Sequence, residues 1–289
     1  MSPTKIAWAT ETWNPVTGCS KVSPGCANCY AERLSTRFGR TTKPWTPEHA
    51  AENVVLHPER LSIPLHWQKP RRIFVCSTAD LFHRQVPSWY IQSVWRIMAR
   101  CPQHTFLVLT KRSDRMLAWV SANNEVTVPT LPNVWLGVSI ENGRFLDRAF
   151  HLRQTPAAIR FVSAEPLLGP LAERCANCED GSTPGHANDA SCLADWHNNC
   201  PVQERCSDCH GTGWTGLDLT DIDWLIIGGE SGPHARPMDP QWALDLVEAA
   251  RVVGTKVFVK QGSGPRPGTQ GDLPDWAFAL REYPDAPQA

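Results

Sequence analysis

Residues 224–261 read WLIIGGESGPHARPMDPQWALDLVEAARVVGTKVFVKQ and carry the clearest fold signal in the chain. The stretch opens on an apolar run at 224–227 and closes on a second run at 256–259. Between them, apolar side chains recur with helical spacing over 241–253, and Gly254 follows as a stop signal. A strand, a helix and a second strand in this order predict parallel strands joined by a crossover helix.

The same alternation recurs upstream of this unit. Further apolar runs of strand length lie at 72–76, 105–109, 134–138 and 159–162. Helical patterns cover 89–100 and 114–122, and a segment near 12–18 could supply a first strand. With 289 residues, 42% of them hydrophobic, the chain can bury one large core. We therefore expect an α/β fold, a full or partial parallel (β/α) barrel of about six to seven strands.

One segment lacks this alternation of strands and helices, and with it the chain divides into a barrel, an insertion and a C-terminal tail. Residues 172–216 contain no long apolar run but hold six cysteines, which predicts an insertion where metal replaces a hydrophobic core. The barrel is then expected over 1–171 and 217–262, with a Cys-rich, zinc-ribbon-like insertion at 172–216. The Pro/Gly-rich tail, 263–289, is expected to be loop-like with one short helix around 276–281.

Composition and charge limit the classes of function. The net charge is -1, so no strong basic field indicates nucleic acid, although a local patch is compatible with this value. The N-terminus has no signal-peptide pattern and no stretch approaches a membrane span, which predicts a cytoplasmic protein with no membrane partner. Disulfides are disfavoured in the cytoplasm, so the eleven cysteines predict metal binding. The thirteen tryptophans could stack on nucleobases, but filling the barrel core is the favoured interpretation.

The first cysteine cluster consists of Cys19, Cys26 and Cys29, spaced by six and two intervening residues. Three thiolates on a 4Fe-4S cluster leave one iron open to a small molecule. The alternative is a zinc ion with a fourth ligand elsewhere, but no fourth cysteine or histidine lies close by. The loop follows the expected first strand, at the barrel end where active sites form, and a helix over 30–38 should lead away from it.

The second cysteine cluster consists of two C-x-x-C knuckles, Cys175 with Cys178 and Cys206 with Cys209. Paired knuckles predict a tetrahedral, structural zinc site. The alternative is an auxiliary iron–sulfur cluster. Further residues that could join either site are Cys192, Cys200, His186, His197 and His210. Cys76 and Cys101 are expected to be buried thiols.

A resemblance to a known family extends over about residues 6–262, apart from the insertion. It rests on WNPVTGC at 13–19, CANCYAE at 26–32, STADL at 77–81, TKR at 110–112, WLGVS at 135–139, SAEPL at 163–167, GGESG at 228–232 and VKQ at 259–261. These segments resemble the phage Gp37/Gp68 family, a domain of unknown function. The resemblance implies a barrel like that of radical S-adenosylmethionine proteins with a three-cysteine motif, and a companion, the three-Cys-motif partner protein. It implies no known reaction.

Polar residues follow the predicted strands and give the remaining candidates. S-adenosylmethionine needs an acid for its amino group and hydrogen bonds for its carboxylate and ribose, for which we select Asp80, Ser139 and Glu141. The triplet Gly228, Gly229 and Glu230 resembles the amine-binding triplet of radical enzymes, although it follows a late strand. Candidates for catalytic contact with substrate are Lys111, Glu165 and Lys260, each of which could instead form a salt bridge at the barrel rim. Thr110, Lys111 and Arg112 with Arg115 could meet a phosphate or simply begin a helix.

Three hypotheses of function follow. The first is a radical S-adenosylmethionine-type iron–sulfur enzyme of unknown substrate, with nucleic acid suggested by the phage relatives alone. The second is a non-catalytic iron–sulfur and zinc protein that works with a partner protein or nucleic acid. The third is a zinc protein without iron.

Overall fold

Seven parallel strands form the central sheet, and their order in space follows their order in the chain. The computed structural model describes Thr4 and residues 6–124, 129–178, 182–183 and 204–285. The strands are Glu11–Trp13, Arg72–Val75, Thr105–Thr110, Val134–Ser139, Ile159–Ala164, Trp224–Gly228 and Lys256–Gln261. The sheet curls with the first and seventh strands at its edges, so the described residues form a partial barrel. The predicted α/β fold class is confirmed.

Each strand supplies side chains to two cores, which explains the nearly continuous apolar runs. In the second strand, Ile73 and Val75 join the large core between the sheet and its helices, while Phe74 points to the concave side. Register pairs Phe74 with Leu107, which also lies in the concave cluster. Large aromatic side chains dominate this cluster: Trp8, Trp135, Phe161, Trp224 and Phe258.

Four helices pack into the large core on the convex side of the sheet: Ser88–Ala99, Ser113–Asn124, Asp147–Gln154 and Pro240–Val253. The other helices are Tyr30–Arg37, Ala50–Asn53 and Asp275–Phe278. The long helix near the C-terminus begins where the Asp239 side chain accepts a hydrogen bond from the Gln241 amide, and Gly254, with φ of 78°, follows its end. The helix Asp147–Gln154 was not predicted, because its apolar positions are too few for a clear periodic pattern.

The chain termini complete the concave core. Trp8 packs against Phe74, with ring centroids 4.7 Å apart. At the other end, Arg281 pairs antiparallel with Phe258, and the Trp224 indole donates a 2.9 Å hydrogen bond to the Glu282 carbonyl. The segment after the short helix therefore pairs with the edge strand of the sheet, where the sequence predicted a loop.

Short antiparallel pairs complete the described structure. They are Val16–Thr17 with Val55–Leu56, Ala172–Arg174 with Trp214–Gly216, and Ser182–Thr183 with Glu204–Arg205. Single 3-10 turns lie at Pro24–Cys26, Pro47–His49, Pro58–Arg60, Ile63–His66 and Gly143–Phe145. None of the helices in the described part is long and apolar enough to cross a membrane.

Candidate functional site

A cavity of about 260 Å³ lies at the carboxyl edge of the sheet. Parallel strands end at one edge, so the residues that follow them share a common space. Its polar lining comes from six strand ends and consists of Ser77, Asp80, Thr110, Lys111, Ser139, Ser163, Glu165, Glu230 and Lys260. An apolar wall of Trp8, Phe74 and Leu109 connects the cavity to the concave core.

The first cysteine cluster also lines this cavity, because the loop after the first strand folds over it. Gly18, with φ of 81°, begins the loop and lies so close to the Asn53 carbonyl that no side chain would fit. Cys19, Cys26 and Cys29 all border the cavity. The structure thus brings together three thiols that are separated by other residues along the chain.

The cysteine loop rests on the buried carboxylate of Glu141. The Ser23 hydroxyl donates a hydrogen bond to this carboxylate, and Gly25 packs directly on it. Arg148 pairs with Glu141 at 2.8 Å, and Lys111 lies 3.6 Å away. Glu141 is fully buried and is not among the residues that line the cavity, so it supports the loop from beneath.

A second support for the loop is Arg112, which follows the third strand. Its guanidinium pairs with Asp80 at 2.8 Å and donates to the Ser20 carbonyl at 2.9 Å. The same group lies 3.6 Å from the Cys19 sulfur. Burial raises the pKa of the Cys19 thiol to about 12, and the Arg112 charge opposes this rise in part. Sequence reasoning missed the link between Arg112 and Cys19, because the two lie on different strand ends.

The three thiols lie in one electrostatic neighbourhood. Burial raises the pKa of both Cys19 and Cys29, and the nearby Cys26 adds to the rise in each. Iron–sulfur clusters and zinc ions both bind cysteine thiolates, so the chemistry of these side chains suits either kind of metal centre.

Glu230 holds the opposite side of the cysteine loop. Its carboxylate pairs with Arg236 at 2.6 Å and accepts a 2.9 Å hydrogen bond from the Asn28 side chain. Arg236 also donates to the Pro24 carbonyl at 3.0 Å. Burial raises the pKa of Glu230, but the hydrogen bonds from Arg236 and Asn28 outweigh it and lower that pKa to about 2.

The remaining candidate residues lie at the carboxyl ends of the fifth, sixth and seventh strands of the sheet. Lys260 and Glu165 form a 2.5 Å ion pair, so both charges are already partnered. Gly229 borders the cavity, and a Cβ atom there would clash with the Ser263 amide. Gly228 lies behind the lining, where a Cβ atom would contact Glu165 at 3.1 Å. Of the residues predicted to contact cofactor or substrate, all except Glu141 and Gly228 line the cavity.

The second cysteine cluster forms a separate site that could hold a metal ion. The sulfur atoms of Cys175, Cys178, Cys206 and Cys209 lie within 4.8 Å of one another. The contacts Cys175–Cys206 and Cys178–Cys209 measure 3.8 and 3.5 Å. Of the other candidate ligands in the insertion, Cys192, Cys200, His186 and His197 lie outside the described residues.

Backbone geometry around the last knuckle favours a thiolate. The Gly213 amide donates to the Cys209 sulfur at 3.3 Å. Burial raises the pKa of Cys209, but hydrogen bonds from the Gly213 and Gly211 amides and from neighbouring thiols lower it to about 7. A positive φ at His210 and Gly211 turns the chain so that these amides face the sulfur. A thiolate is the form that binds metal.

The comparisons with known proteins give a family and no activity. The family model described as "Protein of unknown function (DUF5131)" matches residues 3–269, and the chain belongs to this family. No curated protein and no solved structure matches the chain at a significant level.

Proposed function

We propose that this chain is a radical S-adenosylmethionine-type iron–sulfur enzyme of unknown substrate. The observation that carries the proposal is the convergence of Cys19, Cys26 and Cys29 on one cavity at the carboxyl edge of a parallel barrel. Catalytic sites of such barrels lie at this edge. Three thiolates can hold a 4Fe-4S cluster and leave one iron open.

The residues present fit these cofactors. The three cysteines would hold the cluster, and Asp80, Ser139, Gly229 and Glu230 border the space beside it. When bound, the reduced cluster and S-adenosylmethionine supply a carbon radical that can abstract hydrogen from a substrate.

The chain's own residues would then position the reactants and exclude water. Ser139 offers a hydroxyl beside the cavity, and Asp80 offers a carboxylate that pairs with Arg112. Lys111, Glu165 and Lys260 would contact the substrate, with the Lys260–Glu165 pair able to hold or pass a proton. The apolar wall at Trp8 and Phe74 would shield the centre from solvent.

One observation favours the second, non-catalytic function. Asp80 and Glu230 are both engaged by arginines, and Glu165 is engaged by Lys260, so the cavity's carboxylates already serve as structural partners. A protein that binds iron but never cleaves S-adenosylmethionine would then work through a partner protein or nucleic acid.

The test is anaerobic reconstitution followed by iron analysis and by detection of 5′-deoxyadenosine under reducing conditions. Release of that product by the wild-type protein, and its loss in Cys26→Ala, supports the enzyme. Cys101→Ala is the matched control, because Cys101 is a buried thiol distant from the loop in sequence. Bound iron without product points to the non-catalytic function. Absence of iron after reconstitution contradicts both.

We propose that the second cysteine cluster holds a structural zinc ion. Tetrahedral ligands about 2.3 Å from zinc lie roughly 3.8 Å from one another. The measured contacts of 3.5 and 3.8 Å agree with this value. An iron–sulfur cluster would place its own iron and sulfide atoms between the thiolates and spread them farther apart. Metal analysis of Cys206→Ser beside wild type tests the assignment, since one zinc per chain should be lost.

Two further parts of this proposal rest on the resemblance to the phage Gp37/Gp68 family. They are a three-Cys-motif partner protein and nucleic acid as the substrate class. A cytoplasmic location is also part of the proposal, and it rests on the lack of a signal-peptide pattern at the N-terminus. Co-purification of the tagged chain with that companion tests the first of them.

A further inference from the structure

The helix Tyr30–Arg37 starts directly after Cys29 and exposes an apolar stripe. Tyr30, Leu34 and Phe38 are 46%, 38% and 62% exposed, respectively. They are spaced four residues apart, so Tyr30 and Leu34 lie on one side of the helix, and Phe38, directly after its end, continues that side. Tyr30 also lines the cavity, and Leu34 and Phe38 lie outside its lining, so one end of the stripe meets the cavity. Large apolar side chains exposed in a row indicate a binding surface.

Positive charge surrounds this stripe. Residues 30–43 contain Arg33, Arg37, Arg40 and Lys43, and the only acid among them is Glu32. That acid is already engaged, since Lys21 pairs with it at 2.9 Å and the Trp45 amide donates to it at 2.8 Å. The stretch therefore carries a local positive excess on a chain whose net charge is -1.

The arginines and the aromatic ring form a stacking platform. The guanidinium groups of Arg37 and Arg40 lie 5.9 and 5.6 Å from the centre of the Phe38 ring. Bases of single-stranded nucleic acid stack on exposed aromatic rings and arginine planes, while arginines meet the phosphates. An acidic partner protein would need only the positive charge for binding. The exposed aromatic rings between the arginines therefore favour nucleic acid over such a partner.

We infer that the surface formed by Tyr30, Arg33, Leu34, Arg37, Phe38 and Arg40 binds single-stranded nucleic acid and leads it to the cavity. This inference rests on the proposed function, because it names the substrate class of the same site. An unpaired strand can present one base to a cavity of about 260 Å³, which a paired duplex cannot do without extruding the base.

The experiment measures binding of fluorescent single-stranded DNA and RNA to the full-length protein by anisotropy. R37A/F38A should bind about tenfold more weakly, in line with the loss of one stacking contact and one phosphate contact. The matched control is R251A/W276A, which removes another exposed pair, with its guanidinium 5.3 Å from the ring centre. This control should bind as wild type does. Equal weakening in both variants, or none in R37A/F38A, overturns the inference.

Salt dependence gives a second readout. R37A/R40A should reduce the slope of log affinity against log salt concentration by about 1.4, the value for two phosphate contacts on a single strand. Tighter binding to polyglutamate or to anionic lipid vesicles than to either strand contradicts the inference and indicates a protein or membrane ligand instead.

The two proposals can fail separately. Cys26→Ala should lose the iron centre and still bind the strand, since Cys26 lies outside the stripe. Strand binding that is absent while 5′-deoxyadenosine is still released overturns this inference alone.

Discussion

Gly25 lies directly on the carboxylate of Glu141, and a Cβ atom at Gly25 would come within 2.5 Å of it. The two residues are far apart in the chain, one in the cysteine loop and one after the fourth strand of the sheet. The contact sets how closely the loop backbone approaches Glu141, and thereby the position of the cysteine loop. The proposed metal centre therefore depends on residues that are not themselves ligands.

Gly25→Ala tests this contact. The added methyl group must push the loop away from Glu141, so iron bound per chain after anaerobic reconstitution should fall clearly below the wild-type value. Gly143→Ala is the control, because a Cβ atom there meets nothing closer than the Pro170 carbonyl at 4.0 Å. Full iron loading in Gly25→Ala would show that the loop does not need this support.

Glu141→Gln tests the buried ion pair beneath the loop. The change leaves the Arg148 charge without its partner, so the free energy of unfolding should fall by about 3 kcal/mol in denaturant titration. Glu248→Gln, which removes an exposed pair with Arg174, should change it by less than about 1 kcal/mol. A similar, small effect of both changes would contradict the structural role assigned to Glu141.

The stability of the protein should depend on the charge of Glu230. Its pKa is lowered to about 2 in the folded state, so its contribution is present above the ordinary glutamate pKa and is lost as pH falls toward 2. That contribution is roughly 3 kcal/mol. Glu230→Gln should flatten the decline in unfolding free energy between about pH 5 and pH 2. An unchanged pH profile in this variant would mean that Arg236 does not hold the charge.

If the second cysteine cluster holds the proposed zinc ion, removal of that ion should loosen the insertion and leave the barrel folded. The antiparallel pair Ala172–Arg174 with Trp214–Gly216 joins the four cysteines to the core through Trp214, and to the helix Pro240–Val253 through the Arg174–Glu248 pair. In Cys206→Ser we expect faster proteolysis within 175–209 and a lower melting temperature, with far-UV circular dichroism largely retained. Proteolysis at the wild-type rate would argue against a metal-supported insertion.

Much of the fold follows from local sequence pattern. Six of the seven strands are buried on both faces, and their apolar runs predicted them to within two residues at each end. The helix Pro240–Val253 carries its own start and stop signals at Asp239 and Gly254. The helix Asp147–Gln154 contributes only Ala149 and Leu152 to the large core, so its apolar periodicity is too weak to predict it.

The candidate site was only partly predictable for a different reason. Cysteine spacing predicted both cysteine clusters, and the polar strand ends predicted most of the polar cavity lining. The supporting contacts depend on the tertiary fold, since Glu141 meets Ser23 and Arg112 meets Cys19 only after the strands align. Their residue types are common ones, and nothing in the sequence near either one indicates its partner.

Electron paramagnetic resonance of the dithionite-reduced protein, with and without S-adenosylmethionine, distinguishes an open iron–sulfur cluster from a zinc site. We expect a signal typical of a 4Fe-4S cluster that shifts when S-adenosylmethionine is added and disappears in Cys26→Ala. A reconstituted protein that holds zinc alone, with no iron signal, would show that Cys19, Cys26 and Cys29 do not form a radical-type centre.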